Sequence, residues 1–262
     1  MPVAMTVSRI RTLALASVFL GSHPADAADH VKDILADKMT YLKGHFSTEA
    51  VSRSVVDAIT KADGGGVNFA RIVFTIVPHF IKSQSATPAP DYRFTLTYVS
   101  IGGPFVDTLD ELSSNGFPAS QTYSLTYRGV LLLDTQYVAL SEHDARPSSV
   151  MKNLKVFSPL NPAATGSGEF EWRYQMAPHI QIMNFMDTYF HCTYGTAYPA
   201  SQVNARLKGD AQDLDCEARN DNNIVTGHST IALLQYYGVG LTRARSTAAS
   251  TVEFGVEDVQ ID

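Results

Sequence analysis

The chain has only two cysteines in 262 residues, Cys192 and Cys216, and one tryptophan, Trp172. The C-x23-C spacing excludes a C-x-x-C redox motif. Two sulfurs and the adjacent His191 fall short of the four ligands that a structural zinc site requires. Basic runs are also absent. Twenty Lys and Arg stand against 26 Asp and Glu, a formal charge of −6, which argues against sequence-independent nucleic-acid binding. None of the H-x-x-x-H, H-E-x-x-H, P-loop or G-x-S-x-G patterns occurs, so the common zinc, phosphate and nucleophile-elbow signatures are missing. Apolar stretches are too short for a helical membrane span.

What is present begins with a leader. Arg9 and Arg11 precede the apolar run Thr12–Leu20, and Ala25-Asp26-Ala27 gives a small-x-small cleavage signal. This order predicts a secretory signal peptide over residues 1–27 and an exported, periplasmic or extracellular protein. Its removal takes away Arg9, Arg11 and Asp26, leaving 235 residues with 18 basic and 25 acidic groups, a formal charge of −7. In an oxidising compartment two cysteines pair, so Cys192–Cys216 is expected as a structural disulfide, with a free or intermolecular thiol as the alternative. Closing about 25 residues would contribute roughly 3.5 kcal/mol in the chain-entropy model.

Helical periodicity marks the region after the leader. Val31, Ile34, Leu35, Met39 and Leu42 recur three and four apart, which predicts a helix over 28–46. A second helix is expected from Ser47 as N-cap, with Val51, Val55, Val56 and Ile59 as its apolar stripe. Gly64-Gly65-Gly66 ends it as a turn. The apolar stretch 67–81 fits a buried strand or a buried helix, and periodicity does not separate the two. Residues 82–91, with two prolines and no apolar period, read as a linker.

Beyond the linker the period becomes two. Tyr92, Phe94, Leu96 and Tyr98 alternate with Arg93, Thr95 and Thr97, and the same grammar recurs around Tyr123, Trp172, Cys216 and Phe254. Repeated alternation means antiparallel strands with one apolar face. Ser113-Ser114-Asn115-Gly116, Pro159–Gly168 and Asn220–Asn223 supply the turns. The predicted fold is α+β: helices over 28–85 docked on a mostly antiparallel sheet of six to nine strands over 90–262, curled into a half-barrel or sandwich. The segment 180–192 is expected to run in register, with Ile180, Ile182, Met186, Phe190 and Cys192 on one side.

No set of residues forms a coherent catalytic constellation. Ser141-Glu142-His143-Asp144 groups acid–base side chains as sequence neighbours, whereas triads converge from separate elements. Thr165-Gly166-Ser167-Gly168 reads as a loop. Aromatic and Met side chains crowd the C-terminal half, and Trp172, Tyr174, Met186, Phe190 and Tyr236 are the candidate ligand-lining positions. The reading is therefore an exported, non-catalytic envelope protein that binds a small apolar molecule, a lipid or a protein partner, with no metal or cofactor. Two other classes remain: a secreted hydrolase using His143, His191 or His228 as base, and an adhesin or membrane-active toxin.

Overall fold

The computed structural model describes residues 29–83, 90–161 and 168–262. The expected leader lies outside them, as do residues 84–89 of the linker and Thr165, Gly166 and Ser167.

Three short helices come first: α1 (Val31–Ala36), α2 (Lys38–His45) and α3 (Arg53–Ala62). The single helix expected over 28–46 is broken at Asp37. Its carboxylate accepts from the Thr40 backbone N (3.1 Å) and from Thr40 Oγ1 (2.7 Å), capping a new helix instead of continuing the old one. The next helix does not start at Ser47. That residue opens a turn closed by Ala50 N–H donating to its carbonyl (3.0 Å), and α3 begins only after the extended Ser52. Val55 and Ile59 of α3 are buried.

Twelve strands follow. They are β1 (Arg71–Ser83), β2 (Tyr92–Ser100), β3 (Phe105–Ser114), β4 (Phe117–Tyr127), β5 (Leu131–Ala139) and β6 (Ser149–Phe157). The second half contains β7 (Glu169–Pro178), β8 (Asp187–Pro199), β9 (Asp210–Asn220), β10 (Val225–Leu234), β11 (Val239–Ser246) and β12 (Ser250–Ile261). Each pairs antiparallel with its neighbours in sequence, and β1 also pairs with β12, closing the ring.

The fold is thus a closed antiparallel barrel and not the α+β half-barrel or sandwich expected. The reason lies in the ambiguous stretch 67–81. Its β-branched residues form β1, whose Ile72, Phe74 and Ile76 face Tyr98, Leu96 and Phe94 on one side and Ile261, Val259 and Val256 on the other. That strand joins the two edges an open sheet would have left exposed. Closure is uneven. β5 meets β6 at Asp134–Val150 and Thr135–Ser149, and β11 meets β12 at Ala244–Glu253, Arg245–Val252 and Ser246–Thr251. Two six-stranded runs are therefore joined by two narrow seams.

Local turn chemistry agrees with the sequence at Asn115-Gly116, where φ values of 50° and 79° make the tight β3–β4 hairpin that an Asn-Gly pair favours. The 180–186 segment departs from expectation. Residues Ile180, Ile182, Met183 and Met186 are 61–80% exposed in the β7–β8 connection, because β8 starts only at Asp187.

Buried side chains form two clusters. The larger unites α1–α3 with β3–β10 and includes Phe46, Leu109, Tyr123, Leu125, Tyr127, Trp172, Leu214 and Leu233. The smaller gathers Ile72, Phe74, Ile76, Tyr98, Val106, Leu234, Val239, Leu241 and Val259. β4 separates them: Tyr123, Leu125 and Tyr127 join the larger cluster, while Thr122, Ser124 and Thr126 point the other way.

The β4–β5 turn crosses to the far wall, where Gly240 N–H donates to the Arg128 carbonyl (2.8 Å). The approach is close enough that a Cβ on Gly129 would lie 2.8 Å from Val239 Cγ2 and 2.9 Å from the Gly240 oxygen. Arg128, 3% exposed, anchors this crossing. Its guanidinium donates to Asp63 Oδ2 (2.6 Å) and Oδ1 (3.0 Å), to the Gly238 carbonyl (2.8 Å) and to the Gly65 carbonyl (3.1 Å). Burial raises the Asp63 carboxyl, but hydrogen bonds from Arg128 and Tyr127 outweigh it and hold the group below its ordinary range. The triple glycine after α3 is therefore the loop that wraps a buried ion pair.

Candidate ligand-binding site

Between the smaller cluster and the hydroxyl-bearing face of β4 lies a cavity of about 350 Å³. One wall is apolar: Ile76 of β1, Phe94, Leu96 and Tyr98 of β2, Leu241 of β11 and Phe254 of β12. Phe94 and Phe254 meet edge to face with centroids 6.0 Å apart. The opposite wall carries Thr108 of β3, Thr122, Ser124 and Thr126 of β4, and Thr135 of β5. Register explains this wall, since Thr108 sits opposite Ser124 and Ser124 opposite Thr135.

Most of these hydroxyls are engaged. Ser124 Oγ lies 2.8 Å from Thr135 Oγ1, and Thr126 Oγ1 donates to the Val106 carbonyl (2.9 Å). Tyr98 donates to the Gly240 carbonyl (2.9 Å), and burial holds its phenol well above the ordinary range. Asp110 is different. It stands opposite Leu96 and Thr122, and its Oδ1 is buried with no hydrogen-bond partner. Burial pushes this carboxyl up to about 6, opposed by the charge of Arg245, an exposed residue that also lines the cavity. The site therefore pairs a greasy wall with a hydroxylic one and offers one unsatisfied acceptor. Three larger depressions, about 400, 430 and 590 Å³, are more open to solvent and lined mainly by polar residues, the first of them including Tyr236.

Asp107 and Asp134 also carry a buried, unpartnered Oδ1. Both face Leu125, from β3 and β5 respectively, on the side of the larger cluster. Burial pushes Asp107 up to about 7, against the pull of Lys43. Neither lines the cavity.

The structure brings three of the five expected ligand-lining residues together. Trp172 is fully buried, stacks on Phe190 at 5.4 Å, and donates from Nε1 to the Ser158 carbonyl (2.7 Å); Tyr174 and Phe190 pack around the same cluster. Met186 and Tyr236 are 73% and 49% exposed. None of the five borders the 350 Å³ cavity. Cys192 and Cys216 face each other across β8 and β9 and form the expected disulfide. Apart from His30 and His143, whose rings meet at 4.7 Å, the histidines stand on separate elements. His191 lies 3.2 Å from Glu169, His179 3.2 Å from Asp134, and His143 2.7 Å from Asp144. Among the described residues, no histidine nitrogen is hydrogen-bonded to a serine, threonine or cysteine side chain.

Asp110 and the hydroxyl wall escaped the sequence reading. Leu109 and Asp110 follow one another in a strand covered on both sides, so β3 shows no clean alternation. The available signal was an acidic residue placed inside an otherwise β-forming run.

No protein-family model and no curated protein matches the chain. Among solved structures, the crystal structure of a β-barrel-like protein of the domain of unknown function DUF1849, from Brucella abortus, aligns over 75% of this chain and 99% of that one. The two share 8% identity, with a TM-score of 0.44. No helix among the described residues is long and apolar enough to cross a membrane.

Proposed function

We propose that the protein is an exported, non-catalytic barrel that holds a small amphipathic molecule in the cavity between β2, β4 and β12. One observation carries this reading: the buried Oδ1 of Asp110 faces hydroxyls and hydrocarbon with no partner of its own. A buried acceptor left unpaired costs on the order of 1–3 kcal/mol, and a bound donor would recover much of it. The occupant therefore combines an apolar body, for Ile76, Phe94, Leu96 and Phe254, with one hydroxyl or amine donor for Asp110. A cavity of about 350 Å³ is at the small end of ligand sites, which favours a single-chain or aromatic amphiphile. Export is supported by the leader-like N-terminal order and by the disulfide.

The test is a fluorescence titration with N-phenyl-1-naphthylamine, an apolar fluorophore bearing one N–H. The wild-type protein is expected to give saturable enhancement at one site. Leu96→Trp, which places an indole in the cavity, is expected to weaken it strongly, and Asp110→Leu to weaken it. Equal binding by Leu96→Trp would place the fluorophore elsewhere and refute the assignment.

A further inference from the structure

Away from the cavity, the start of the described chain meets the β5–β6 loop. His30 and Asp144 form an isolated antiparallel bridge, flanked by Val31 N–H donating to the His143 carbonyl (3.0 Å) and Ala145 N–H to the Asp29 carbonyl (2.9 Å). This backbone frame holds three side chains together from segments 114 residues apart. His30 Nδ1 and His143 Nδ1 each lie 2.7 Å from the same oxygen, Asp144 Oδ1, and the two rings meet edge to face at 4.7 Å. The ligand atoms of all three residues fall within 4.8 Å of one another. All three side chains are open to solvent, at 48%, 76% and 52% exposure, so an ion can reach them.

We propose that His30, His143 and Asp144 form a surface site for one divalent transition-metal ion, with zinc as the reference ion. Two imidazoles and a carboxylate are a donor set suited to zinc, copper and nickel, with solvent completing the coordination. In a tetrahedral site with bonds of about 2.1 Å, neighbouring ligand atoms stand roughly 3.4 Å apart. Opening the present 2.7 Å contacts to that spacing needs only a small side-chain rotation, because the backbone already presents the three groups side by side. The ion takes the place of the hydrogen bonds between the rings and the carboxylate. Each neutral imidazole then binds through Nδ1 and carries its one ring proton on Nε2, any second proton passing to solvent. Binding would staple the α1 segment to the loop leading into β6, beside the seam where β5 and β6 pair least.

The test uses tag-free protein, titrated with zinc chloride by calorimetry and followed by thermal melting. One zinc per chain is expected, with a rise in melting temperature that chelator reverses. His30→Ala and His143→Ala should each weaken binding about tenfold or more. Their circular dichroism should stay unchanged, since both side chains are exposed. His228→Ala, at an exposed position of β10, should bind as wild type. Absence of saturable binding overturns the proposal. So does binding that survives in the His30→Ala/His143→Ala double variant or is lost in His228→Ala.

Discussion

The two buried clusters are built from similar residue types and are packed differently. Around Trp172 the rings of Tyr127, Phe157, Phe170 and Phe190 approach to 4.9–6.4 Å, and three helices pack side chains into the same cluster. Around Ile76 and Phe94 the apolar side chains meet threonine and serine across a void instead of meeting more hydrocarbon. The first cluster is filled, and the second borders a void of about 350 Å³, the site of the proposed ligand. Aromatic density is thus a signature of the packed interior here. Hydroxyl density opposite hydrocarbon marks the hollow one.

The largest expected effect falls on the packed side. Trp172→Ala should destabilise the protein by about 3–5 kcal/mol in urea unfolding, yet leave fluorophore affinity unchanged in the folded fraction. A loss of both together would merge the two interiors into one functional unit. Asp63→Leu should cost a comparable 3–5 kcal/mol, because it leaves the Arg128 guanidinium buried without its counter-charge. Hydrogen exchange should then show faster opening of the β4–β5 turn. Reducing the disulfide, or Cys192→Ser with Cys216→Ser, should lower stability by about 2–4 kcal/mol as measured by denaturant midpoint.

The buried acids give a pH signature that runs opposite to ordinary acid denaturation. Asp107 and Asp110 sit at about 7 and about 6 in the folded chain, above their ordinary value of 3.8. Between about pH 4 and 7 the folded state holds protons that the unfolded state has released, so their contribution to stability falls as pH rises. The loss is on the order of a few kcal/mol by pH 8. Asp107→Asn should flatten the profile and be more stable than wild type at pH 8; an unchanged slope would contradict the buried-acid account. The smallest effect on stability is expected for Leu96→Trp, within about 1 kcal/mol, because it fills space that is already empty. Its effect belongs to binding.

Much of the barrel could be read from residues alone. Alternation located β2, β4, β7, β9 and β12, and the face of Cys216 followed from its neighbours Leu214 and Ala218. β3 and the Ile231–Leu234 end of β10 did not show, because stretches covered on both sides lose the two-residue period that marks a half-solvated sheet, and β5 did not because its exposed Leu132 and Tyr137 are themselves apolar. Closure was hidden in residues 67–81, where β-branched density was visible and its partners, at the far end of the chain, were not. The cavity was illegible for a related reason. Thr122, Ser124 and Thr126 look like a solvent face, and only the fold places Phe94 and Phe254 opposite them. The His30–Asp144 bridge joins residues that no local spacing rule connects.

The central claim is that one interior is filled and the other receives a ligand. Methyl-resolved NMR during titration with N-phenyl-1-naphthylamine tests it most directly. Saturable shifts are expected at Ile76, Leu96, Leu132 and Leu241, which border the cavity, with Leu125, Leu214 and Leu233 of the packed cluster unmoved. Shifts centred on Leu125, Leu214 and Leu233, with the cavity methyls silent, would contradict the account.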